Sequence, residues 1–94
     1  MKLNIFSKWK PLGVLANRKL EYLTQKGGSN TYVTVVRDTE TGNQITKGYA
    51  KNEQASQQAA YNNLKRAGVD AILDAIKNNK IIGIVSLSDI IRYL

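Results

Sequence analysis

The chain is 94 residues long, room for one domain and one core but too short for a conventional enzyme built around a deep cleft. At 43% hydrophobic and 22% charged residues it has the balance of a folded globular protein, which argues against wholesale disorder. Cysteine and histidine are absent, which removes disulfides, thiolate metal sites and imidazole chemistry, while a net charge of +7 suits polyanionic partners.

The apolar residues of Met1 to Lys8 are interrupted too early for a signal-peptide core, and no segment approaches the roughly 20 apolar residues of a membrane span. A cytoplasmic protein without a membrane partner is therefore expected. Residues 2–10 can form a short helix with Leu3, Ile5, Phe6 and Trp9 on its apolar side. Pro11 breaks that segment, because it disfavours helix at Lys10 and lacks a donor. Leu12, Val14, Leu15 and Leu20 are then available to a core, and a helix starting after the proline and running to Lys19 is the other way to use them.

From Leu20 the signals are those of strands. Glu21–Lys26 is a candidate strand, Gly27-Gly28-Ser29-Asn30 a turn, and Thr31–Arg37 a run of β-branched and aromatic residues suited to a pleated surface. Asp38 to Asn43 is a polar hairpin loop in which Gly42 can take positive φ, and Gln44–Ala50 is the returning strand. Which face of the middle strand is buried stays open, since Val33 and Val35 compete with Tyr32 and Val36.

Asn52 can cap a helix that carries Glu53 in its first turn, Lys65 and Arg66 in its last, and ends at Gly68. Ala55, Ala59, Ala60, Leu64 and Ala67 share one face, and the small side chains let the helix lie close to a sheet. Val69, Ile72, Leu73 and Ile76 mark a second amphipathic helix stopped by Asn78 and Asn79. Ile81–Leu87 has strand length, and Ser86-Leu87-Ser88-Asp89 has the form of a capping box opening a short helix over Ser88–Tyr93.

The stretch Leu20 to Gly68 resembles a double-stranded RNA-binding domain. The likeness lies in Glu21-Tyr22-Leu23-Thr24, in Thr31-Tyr32-Val33-Thr34-Val35-Val36, and in the junction from Lys47-Gly48-Tyr49-Ala50-Lys51-Asn52 to the Ala59-Ala60 pair. It implies an α+β fold of α-β-β-β-α order, a three-stranded antiparallel sheet packed by helices, with a C-terminal helix-strand-helix extension. Residues 1–68 would form that domain, and 69–94 would pack on it or serve dimerisation. In such domains the loop between the first two strands enters a minor groove and lysines at the last helix meet phosphates. By position the loop is Gly27, Gly28, Ser29 and Asn30 beside Lys26, and the phosphate site would centre on Lys51, Asn52, Glu53 and Ser56. Where the family carries several lysines this chain has Lys51 alone, with Glu53 and Ser56 among its neighbours. Lys80 to Leu94 is similar to the closing strand and helix of a CBS domain, in which the positions of Ser86 and Asp89 would contact the phosphate and ribose of an adenine nucleotide. The same residues equally describe a buried strand and a capping box.

The charge is lopsided. Residues 1–26 carry six basic side chains against Glu21 alone, whereas 69–94 are neutral. Taken with this charge, the resemblance implies double-stranded RNA or another nucleic acid as the partner, held by Lys8, Lys10, Arg18, Lys19, Lys26, Gly28, Ser29, Asn30, Lys47, Lys51 and Asn52 through backbone contacts. The alternative is a protein-interaction module, with a homodimer formed through the C-terminal strand. No catalytic set, metal-ligand spacing or cofactor motif is visible, so neither an enzyme nor a cofactor is expected.

Overall fold

In the computed structural model, which describes residues 8–86, the backbone after Pro11 decides the architecture. Gly13 sits at φ 134°, and Ala16 and Asn17 at 53° and 61°, so no helix can run through Leu12–Lys19. Strand β1, Lys10–Leu15, instead turns through Ala16-Asn17 into β2, Arg18–Gly28. Two consecutive positive φ values are those of a two-residue hairpin whose twist matches its strands. The helix expected ahead of the strands is therefore replaced by an edge strand. Leu12 and Leu15 still reach the core, which is why their hydrophobicity is compatible with either element.

Strands β3, Thr31–Asp38, and β4, Gln44–Ala50, continue the antiparallel meander. Helix α1, Glu53–Ala67, and helix α2, Val69–Asn78, then carry the chain across to β5, Gly83–Ser86, which pairs parallel to β4. A helical crossover is what a parallel neighbour requires. The result is a five-stranded mixed sheet in the order β1-β2-β3-β4-β5. That corrects the expected three-stranded α-β-β-β-α arrangement at both edges. Of the expected helix over 2–10, residues 1–7 lie outside the described residues, while Lys10 already belongs to β1; the expected helix Ser88–Tyr93 also lies outside them. No helix among the described residues is long and apolar enough to cross a membrane.

Strand alternation assigns the faces. Thr34 bonds to Ser56 of α1 and Val36 joins the core, so even-numbered residues of β3 face the helices and Val33, Val35 and Arg37 face away. The core unites Leu20, Val36, Ile45, Ala60, Leu64, Ile72, Ala75 and Ile76. An irregularity opposite Val36 and Arg37 lets Ile45 and Thr46, adjacent in β4, both be fully buried. Gly48 brings α1 onto the sheet: a Cβ there would lie 2.5 Å from the Ser56 carbonyl oxygen and closer still to the Ala60 backbone nitrogen.

Buried polar groups fix the helix in register. Gln57 Nε2 donates to Thr24 Oγ1, and Ser56 donates to the Glu53 carbonyl. With both ends set, the intervening hydroxyls run one way: Thr24 donates to Thr34, and Thr34 to Ser56, each at 2.8 Å. On the other side Asn63 Nδ2 donates to Thr46 Oγ1 at 2.6 Å, and Thr46 to the Gly83 carbonyl at 2.8 Å, tying β5 to β4. Asn79 ends α2 in the left-handed conformation, its N–H bonded to the Ala75 carbonyl.

Candidate functional site

Six of the eleven candidate residues belong to one end of the sheet. Lys26, Gly28, Ser29 and Asn30 form the exposed tip of the β2–β3 hairpin, with Asn30 at φ 55° and Thr31 Oγ1 donating to the Ser29 carbonyl at 3.2 Å. The register runs from Lys26 to Tyr32 to Ala50, so the exposed Lys51 and Asn52, next in the chain, emerge at that same end. Lys8 and Lys10, at the start of β1, lie farther back, beside Tyr22 to Thr24 in the middle of β2. Lys10 lies opposite Tyr22, four residues or about 13 Å along β2 from Lys26.

The remaining three are elsewhere. Lys19 and Lys47 lie on the helix-free face, Lys19 beside the exposed Val14 and Lys47 between Val35 and Ile84. Arg18 is at the opposite end and is engaged structurally. Its Nε donates to Asp38 Oδ1 at 3.1 Å and its Nη2 to Oδ2 at 2.9 Å, with Glu40 3.1 Å away. Thr41 adds its backbone N–H and its hydroxyl to Oδ2, both at 2.9 Å. Asp38 is fully buried, and these donors, the Arg18 fork foremost, hold its carboxyl down at about 2 despite burial. The Arg18 guanidinium is raised correspondingly by that hydrogen bond.

Asn52 likewise has a structural task. Its Oδ1 accepts from the Ala55 N–H at 2.8 Å, which makes it the N-cap of α1. One functional-looking pair escaped sequence reasoning altogether. Arg37 stacks under the Trp9 ring, 3.7 Å from its centroid, and also pairs with Glu21 on the helix-free face. Only the strand parity of β3, unresolved in the sequence, would have put Arg37 there.

The electrostatic contrast between the ends is sharp. Among the described residues every ion pair involves Arg18 or Arg37, and none of the lysines is paired. Among the described residues Glu53 is the acidic side chain next to the hairpin end, whereas Glu21 lies farther back in β2 and is paired with Arg37. A polar cleft of about 250 Å³ between β1–β2 and the start of α1 places Lys8 and Lys10 with Glu53 and Gln57. Such unpaired ammonium groups, with the exposed hairpin backbone between them, can bind a row of phosphates without requiring particular bases. Among the described residues no group of three or more His, Cys, Asp or Glu could hold a metal ion. No protein-family model, curated protein or solved structure matches the chain.

Proposed function

We propose that this protein is a non-catalytic nucleic-acid-binding module that holds the backbone of a duplex, RNA in the first instance, with the hairpin end of its sheet. The observation that carries the reading is that Lys26 and Lys51, unpaired among the described residues, flank the exposed Gly28, Ser29 and Asn30, while Lys8 and Lys10, also unpaired, lie farther back along the sheet beside Glu53. The glycine-containing tip is slender enough to enter a groove while the flanking lysines meet phosphates. Lys19 and Lys47, on the helix-free face, add long-range attraction rather than contacts at the tip.

Titration of the full chain with duplex RNA, duplex DNA and single strands at two salt concentrations tests this. Sequence-tolerant binding that weakens steeply with salt is expected. Retention of none of the three at low salt would sink the proposal.

A second reading, self-association through β5, has one observation in its favour. Ile84 is 61% exposed on a strand that lies at the edge of the sheet. Sedimentation of the full chain over a range of concentrations decides it: a constant monomer mass removes this reading and leaves the first untouched.

A further inference from the structure

The helices do not cover the whole of one sheet face. Alongside α1, over β1 and β2, two depressions adjoin and share Tyr22 and Gln57 as walls. The first is the polar cleft of about 250 Å³ that carries Lys8 and Lys10. The second, about 220 Å³ and mostly apolar, lies between Tyr22, Leu12 and Val36 on the sheet and Tyr61, Gln54 and Gln58 on α1. Together they reach the lower range of small-molecule sites. The groove is thus cationic at one end, aromatic at the other, and lined with carboxamides between.

We infer that this groove takes a nucleoside 5′-phosphate unit, the phosphate against Lys8 and Lys10 and the base between Tyr22 and Tyr61. Two ammonium groups against one carboxylate favour an anion at one end only, and the other end has the flat apolar walls on which any base can stack. Lys10 stands directly opposite Tyr22 in the strand register, so the two halves of such a ligand are served by neighbouring side chains. Tyr61, 37% exposed, has the Lys65 ammonium 5.4 Å from its ring centroid. Gln57 donates its Nε2–H to Thr24, which leaves Oε1 as an acceptor, while Gln54 and Gln58 bring further amide groups to the base edge. Glu53 in the polar half opposes the phosphate, and it gives the inference a signed test.

The unit can come free or as an unpaired nucleotide of a bound strand; the second source rests on the proposed duplex binding and extends it. Two titrations separate them. In one, adenosine 5′-monophosphate is added to the full chain and the Tyr22 and Tyr61 ring resonances are followed. In the other, a duplex RNA with one unpaired adenosine is compared with the fully paired duplex. Shifted tyrosine resonances, or an affinity for the bulged duplex at least about fivefold above the paired one, are expected, the latter matching one stacked base. Y61A should abolish either effect without changing affinity for the paired duplex, K10Q should weaken the response, and E53Q should strengthen it. Circular dichroism confirms that each variant is folded. If neither probe gives its effect, or the effect survives both Y61A and K10Q, the inference is overturned. Binding of the paired duplex in that event leaves the proposed function standing, whereas a nucleotide response without duplex binding removes the latter alone.

Discussion

The interior of the sheet and its hairpin end use polar groups in opposite ways. Under the helices, and at the Arg18–Asp38 end, polar groups are partnered: the Thr24–Thr34–Ser56 hydroxyls pass hydrogen bonds in one direction, and Asp38 receives four donors. No buried side-chain nitrogen or oxygen among the described residues lacks a partner. At the hairpin end the charges face water, unpaired. Buried polar groups must be satisfied because desolvation is expensive, whereas exposed lysines lose little by waiting for a ligand. Among the described residues the cations engaged in ion pairs are thus Arg18 and Arg37, while the lysines are left unpaired.

The contrast breaks most violently at Gly48. Gly48→Ala should destabilise by more than about 4 kcal/mol, since the new methyl meets helix backbone that cannot yield like a flexible side chain. Denaturant unfolding measures it, and a loss under about 1 kcal/mol would mean that α1 is not pressed against β4 as described.

Asp38→Ala comes next, at roughly 3 kcal/mol, because it strands the Arg18 fork and the Thr41 N–H. Nucleic-acid affinity should not change. The same carboxylate sets a pH dependence: its folded value lies below the usual 3.8, so it stabilises the fold above that value. That contribution disappears as the pH falls from 3.8 toward about 2, and in Asp38→Ala this part of the acid transition should be flattened.

The double substitution K26Q/K51Q sharpens the other half of the comparison. Stability should stay within about 0.5 kcal/mol, as for most surface changes. Duplex affinity should drop roughly tenfold at moderate salt, and the slope of log affinity against log salt should shrink by about one per lysine. An unchanged slope would show that these lysines meet no phosphate.

The smallest effect is expected at Asn52, which sits among the lysines but serves the helix. Asn52→Ala should lose about 1 kcal/mol of stability through the missing cap while leaving affinity nearly intact. A large affinity loss with normal stability would reverse that assignment.

Much of the centre of the molecule is readable in the residues. The β-branched run Thr31–Arg37, the turn chemistry around Gly28 and Gly42, and the Asn52 cap with Gly68 beyond the helix all specify local structure that the fold contains. The edges were another matter. Ala16-Asn17 lacks the glycine that commonly marks a two-residue hairpin, so a helix over Leu12–Lys19 stays open in the residues while the segment folds as strand and turn. Of the candidate site, the hairpin tip and Lys51 are legible by position. The role of Arg18 was not, because its partner Asp38 is 20 residues away.

By itself, then, the sequence determined the β2–β3–β4–α1 centre, the capping of α1, the excess of positive charge and the absence of imidazole and thiol chemistry, all of which follow from local propensity or composition. Tertiary structure alone decided that β1 is a strand, that β5 joins parallel to β4, which face of β3 is buried, and which cations are left unpaired. Those outcomes depend on partners distant in the chain. A strand's edge, register and neutralising charges exist only once the other strands are in place.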